Sequence, residues 1–230
     1  MNDVLLLSSA FGVVISLVGY GIGMLARAKV HKGLCNPLLI SILFVIASLK
    51  LAGINYETYN FSAKYLSYLL TPATVSLAIP LYLQLEKLKR NFTAILVGVL
   101  SGVIASMGSV AAMAALFGLS HKEYVTLLPK SITTAIGMGV SEELGGYVTI
   151  SVAVIIITGI IGNLIADAVC RIFRITEPIA KGLALGTASH AIGTAKAMEM
   201  GEVEGAMSGL AIVVAGLMTV VGASFFAQII

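Results

Sequence analysis

The residues able to do chemistry in this chain fall into three polar runs set in an otherwise apolar sequence. The first carries Thr71, Thr74 and Ser76, with Pro72 and Pro80 close by. Each proline removes a backbone donor and crowds the preceding turn. Two within one membrane segment break a helix and free backbone groups at mid-depth. Lipid cannot satisfy such groups, so the break must pack in protein or line a wet cavity. A plain proline kink is the alternative.

The second run holds Lys130, Ser131, Thr133 and Thr134, followed by Gly137, Gly139, Ser141, Glu142 and Glu143. Hydroxyls and glycines here suit close backbone approach and a helix N-terminus aimed at an anion, and Lys130 adds positive charge. The alternative is a solvent loop with an amphipathic helix, in which Glu142 and Glu143 are simply solvated. The third run, from Gly186 to Glu199, carries Thr187, Ser189, His190, Thr194 and Lys196. On a helix Thr187, His190 and Thr194 share one face, while Ser189, Gly193 and Lys196 share the opposite one. Ionisable groups within a span are costly and usually face a cavity or a partner. His190, deepest in the run, is expected to line a cavity; Lys196 and Glu199, three apart, could pair. Alternatively, Gly201, Glu202 and Glu204 mark the water boundary and leave Lys196 and Glu199 among headgroups.

Known enzyme signatures are missing. Ser189 and His190 are sequence neighbours without an orienting carboxylate, and the chain has no H-E-x-x-H and no P-loop. Cys35 and Cys170 form neither a disulfide framework nor a metal-ligand spacing. No catalytic residue, metal or cofactor is expected.

The elements that must position these runs are membrane helices. Of 230 residues, 58% are hydrophobic and 11% charged, where a soluble domain needs roughly a quarter charged. The apolar surplus must face lipid. Net charge is only +3, too slight and scattered for nucleic acid, but in keeping with basic cytoplasmic loops. Six spans read easily, at 4–26, 36–54, 65–85, 92–118, 147–170 and 205–229; 127–146 and 180–200 have the length but are polar. The first lacks a basic leader and is expected to be retained, not cleaved. Arg27 to Lys32, Lys87 to Arg90, and Arg171 with Arg174 and Lys181 are the basic clusters. Placing all three in the cytoplasm makes 127–146 enter and leave on one face, a re-entrant hairpin turning near Gly137-Met138-Gly139. Asn163, Asp167 and Arg171, four apart, form a ladder expected to fix helix packing. Two repeat registers compete: one lays Pro72 on Pro129, the other overlays the halves with opposite orientation, the inverted-repeat pattern of secondary transporters. The expectation is one all-α membrane domain over 1–230, of about seven to eight segments with broken helices, and 1–118 and 119–230 as halves of an inverted repeat.

The strings Leu128-Pro129-Lys130-Ser131-Ile132-Thr133-Thr134-Ala135-Ile136-Gly137, Ser141-Glu142-Glu143-Leu144-Gly145-Gly146, the run Gly186 to Ala197 and the run Glu202 to Leu210 resemble the LrgB/CidB family. The likeness covers essentially the whole chain, although Gly137 stands where many members carry a larger residue. The resemblance implies a multi-pass protein of the inner (cytoplasmic) membrane with broken, crossing helices. It implies a smaller LrgA/CidA-like membrane partner, and allows a homo-oligomer. Two functions follow from it. The first is carriage of a small organic anion, a monocarboxylate such as pyruvate or glycolate, on a mid-membrane site built from the three polar runs. The alternative is holin-like or antiholin-like control of murein hydrolase activity and autolysis.

Overall fold

The computed structural model describes residues 10–30, 37–69, 72, 82 and 85–230. Every regular element among them is helical. Thr71, Thr74 and Ser76, and most of the span expected at 65–85, lie outside the described residues. The chain divides into two compact units, Met1–Ser76 and Leu77–Ile230.

In the first unit, α1 (Phe11–Val30) packs against α2 (Pro37–Leu51) and α3 (Tyr56–Ser67). Glycines on α1 allow the close approach. A side chain at Gly12 would strike the backbone of α3 at Tyr59 and Ala63, and one at Gly23 would strike Pro37. The Gly12 amide belongs to the first turn of α1 and has no partner within its own helix; it donates to Ser62 Oγ at 2.6 Å. Ser16 Oγ donates to the Gly12 carbonyl at 2.7 Å, so the Tyr59 hydroxyl, 2.9 Å away, is the donor to Ser16. Helix α3 was not anticipated, because hydrogen bonds rather than apolar burial seat it: its buried residues include Thr58, Ser62 and Ala63.

The second unit runs α4 (Leu85–Arg90), α5 (Phe92–Phe117), α6 (His121–Leu127), α7 (Thr134–Glu143), α8 (Val148–Ile172), α9 (Pro178–Met200) and α10 (Glu202–Phe226). Together with α1, the helices α5, α8 and α10 are long and apolar enough to cross a membrane. At 1.5 Å per residue, 25 or 26 residues exceed the roughly 30 Å hydrocarbon layer and allow tilt. Their outward faces carry Leu100 and Ile104, Ile150 and Ile157, and Leu217 and Val221, all exposed. Such apolar faces suit a lipid environment.

Inside, Ile95, Val99, Val103 and Met107 form an every-fourth-residue stripe on α5 that meets Tyr124, Met207, Ala211 and Ala215. Helices α9 and α10 make the most extensive pairing, joined through Gly201 alone. Side chains at Gly182 or Gly186 would strike the α10 backbone at Glu204 and Ser208, so small residues set this spacing.

Helices α6 and α7, of 7 and 10 residues, are each too short to cross a bilayer. The break between them lies at 128–133, not at Gly137-Met138-Gly139 as expected. Those three residues are helical, and Gly137 is small because a Cβ there would strike Ile155 of α8. Pro129 is what interrupts the helix. The string beginning at Ser141 also has a packing role. Ser141 is fully buried and its Oγ lies 2.7 Å from Ser151 Oγ, which donates to the Thr126 carbonyl. Gly145 takes φ +78 to end α7, and Gly146 fits against Ser141 and Thr126. Glu142 and Glu143 are exposed.

Candidate functional site

A cavity of about 870 Å³ opens within the second unit between α5, the 128–133 turn, α8 and the first half of α9. Its walls are mostly small or hydroxylated: Ser101, Gly102 and Ser106 from α5, Ser131 from the turn, Thr158 and Gly162 from α8, and Thr187, Ala188 and Ser189 from α9. Lys130 is the one charged residue in the lining. The turn that Pro129 starts is what brings it there.

Lys130 Nζ donates to Ser106 Oγ at 3.1 Å and to Ser131 Oγ at 3.0 Å, and those two oxygens are 3.0 Å apart. An ammonium has three protons to donate, so one remains after these hydroxyls are served. No carboxylate pairs with it among the described residues. A half-buried cation balanced only by hydroxyl dipoles attracts an anion.

Thr187 belongs to the same lining. Its methyl group faces α5, where a Cβ added to Gly102 would lie 2.7 Å from Thr187 Cγ2. Its Oγ1 is buried and makes no hydrogen bond. Most buried polar atoms have a partner; this oxygen has none and is itself closed off from the cavity.

His190 plays a different part from the one expected. It sits at φ 42, ψ −137, where α9 breaks into two half-helices. The ring is buried, and Nε2 carries a proton because it donates to the Ile155 carbonyl at 3.0 Å. Gly159 makes room: a Cβ there would lie 2.8 Å from His190 Cε1. Side chains take up backbone groups around the break. Thr194 Oγ1 donates to the His190 carbonyl at 3.0 Å and accepts from Ser208 Oγ at 2.7 Å, and Asn163 Nδ2 donates to the Ile192 carbonyl at 2.9 Å. The break is thus packed in protein.

Lys196 is likewise outside the cavity lining. Its Nζ meets Asp167 at 2.7 Å and Glu199 at 3.9 Å, tying the second half of α9 to α8. Thr133 is the residue before α7 and Thr134 its first; neither lines the cavity. Of the anticipated residues that are described, the structure therefore brings Lys130, Ser131, Thr187 and Ser189 together. Ser106 was not anticipated. The one available signal was its place as a hydroxyl inside a strongly apolar span.

Residues 16–229 match the LrgB-like family. Curated relatives described as "Antiholin-like protein LrgB", from Bacillus mycoides (strain KBAB4) and Bacillus cereus (strain B4264), are each 42% identical over 213 residues. That alignment covers 92% of this chain and 92% of the relative. No solved structure matches.

Proposed function

The chain belongs to the LrgB-like family, and from that premise we propose that it is an antiholin-like membrane protein restraining murein hydrolase activity and autolysis. The observation that carries this reading is the shared name of relatives aligned over nearly the full chain. That support outranks what stands behind anion transport, the first function the family resemblance implies. In this reading the protein lies in the inner (cytoplasmic) membrane and acts with a smaller LrgA-like partner or with further copies of itself. The exposed apolar faces of α5, α8 and α10 suit lateral association as well as lipid. The test is complementation of a bacterium lacking its own copy. Expression should lower murein hydrolase activity on zymograms and slow detergent-induced lysis; unchanged lysis and unchanged zymograms at normal membrane levels reject the reading.

A second reading, carriage of a small organic anion of the pyruvate or glycolate type, is favoured by one specific observation. The Lys130 ammonium meets only hydroxyls at a cavity of about 870 Å³, a volume in the range of small-molecule sites. Hydroxyls around a single cation bind modestly, as release requires. Uptake of labelled pyruvate or glycolate into proteoliposomes, with and without an LrgA-like partner, tests it. Absence of saturable flux with every small acid tried removes it.

A further inference from the structure

We propose that α9 is a re-entrant hairpin that enters and leaves the membrane at the basic end of the second unit, and that its first arm gates a route from that end to the Lys130 cavity, with Leu183 as the constriction. The gate deepens the anion-carrier reading and rests on it for what passes; the hairpin and the route rest on geometry.

The two arms of α9 share their neighbours on α10 in opposite order. Side chains at Gly182 and Gly186 would strike Glu204 and Ser208, so the first arm runs parallel to α10. Beyond His190 the order reverses: Thr194 Oγ1 accepts from Ser208 Oγ at 2.7 Å, and a Cβ at Gly205 would meet Met198. Positions 186 and 194 thus meet one turn of α10, and 182 and 198 the turn before it, each pair centred on His190. A Cβ at Gly193 would lie 2.7 Å from the Leu185 carbonyl oxygen, although eight residues of straight helix span about 12 Å. The turn falls at His190, whose φ of 42 lies outside the helical region. Each arm, 178–189 and 191–200, has about half the length that a layer of roughly 30 Å requires. The first arm also follows α5, with Leu183 at Gly98 and Thr187 at Gly102. Both ends of α9 therefore lie with the end of α8 and the start of α5, where Lys87, Lys89, Arg90, Arg171, Arg174 and Lys181 collect. Positive charge makes that end cytoplasmic.

The arms are held differently. The second is pinned by Lys196 on Asp167, by Asn163 on the Ile192 carbonyl and by Thr194 with Ser208. Among the described residues, no side chain of 178–189 makes a hydrogen bond or an ion pair. Small and apolar contacts hold this arm, and such contacts are non-directional and let packed helices slide. Its free face lines two cavities. Ile179 and Ala180 border one of about 380 Å³ beside Asn91 and Glu177 at the basic end, and Ala184 and Ala188 border the one of about 870 Å³. Gly98 and Leu183 belong to both linings, and Leu183 Cδ1 lies 3.7 Å from a Cβ built on Gly98. Sliding of the first arm draws Leu183 off Gly98 and joins the two cavities.

Single cysteines in a chain whose Cys35 and Cys170 are serine test both parts. With an impermeant maleimide, Glu199→Cys should label from the same side as Glu177→Cys and apart from Lys122→Cys. Labelling of Glu199→Cys with Lys122→Cys instead means that α9 crosses, and overturns the proposal. In inside-out vesicles, a small sulfonated methanethiosulfonate should react with Ala94→Cys in the first cavity and with Ala105→Cys in the second. Adding Leu183→Trp should slow Ala105→Cys about tenfold, a barrier higher by about 1.4 kcal/mol, and leave Ala94→Cys within about twofold. Gly98→Leu narrows the constriction from α5 and should act alike, so the gate is still tested if the tryptophan prevents folding. An unchanged rate at Ala105→Cys, equal slowing at both cysteines, or reaction of Ala105→Cys only from the outer face overturns the gate. In proteoliposomes, flux of glycolate or pyruvate that survives both substitutions upholds carriage and overturns the gate. The expected labelling without any flux upholds the hairpin and the route and removes only carriage.

Discussion

At the scale of single residues, the informative groups are those whose hydrogen-bonding capacity is left incomplete. Thr187 Oγ1 is buried with no partner, and a buried hydroxyl without a hydrogen bond costs about 1–3 kcal/mol. Removing it should therefore stabilise the protein. Thr187→Val keeps the branched shape that fits Gly102 and should raise stability by about 1 kcal/mol, read as a higher unfolding midpoint in detergent without added acids. A lower midpoint would mean that the hydroxyl is already satisfied. Lys196 illustrates the opposite case. It has two carboxylate neighbours, one of them the largely exposed Asp167, and exposed ion pairs contribute only about 0–1 kcal/mol. A charge so compensated fixes a helix position more than it attracts a ligand.

Among the elements, glycine decides where helices touch, and the same residue type does opposite things at nearby positions. A Cβ at Gly162 would overlap the Ser189 side chain beside the break in α9, whereas one at Gly139 on α7 would meet nothing within 4 Å. Gly162→Ala should destabilise the protein by about 1–3 kcal/mol through overpacking. Gly139→Ala should stabilise it by about 0.5–1 kcal/mol, because alanine loses less backbone freedom in a helix. Thermal unfolding of the two variants side by side checks both signs. A destabilised Gly139→Ala would restore the turn that the spacing of Gly137 and Gly139 suggests on paper. The long apolar helices and the polar runs were legible because composition and periodicity are local properties. What was not legible depended on tertiary approach. Ser101 and Ser109 bond to carbonyls of their own helix, Gly98 and Ser106, as an isolated hydroxyl in a span generally does. Nothing in the sequence separates Ser106 from them; only the approach of Lys130 does. The same holds for His190, which looks like a cavity residue until Gly159 and the Ile155 carbonyl are seen to receive it.

For the molecule as a whole, the deciding question is on which side of the membrane α8 begins, since that orients the cavity. Between the ends of α5 and α8 lie only α6 and α7, neither able to cross. The two ends of this segment also meet. Lys122 Nζ stands 4.2 Å over the Tyr147 ring, and the Tyr147 amide donates to Thr126 Oγ1 at 2.8 Å. In the re-entrant reading, a chain that leaves on α5 and returns on α8 carries α6 and α7 on one side of the crossing, and the 128–133 turn brings Lys130 to the cavity. The basic residues Arg171, Arg174 and Lys181 gather around the α8–α9 connection at the other end, which the same reading makes the cytoplasmic end, as an excess of positive charge would have it. Single cysteines at Lys122, Glu142 and Glu177, in a chain whose Cys35 and Cys170 are serine, separate the topologies. An impermeant maleimide added to intact cells should label positions 122 and 142, and position 177 only after the membrane is opened. If 122 labels together with 177 and apart from 142, the segment crosses, and the orientation of the cavity reverses with it.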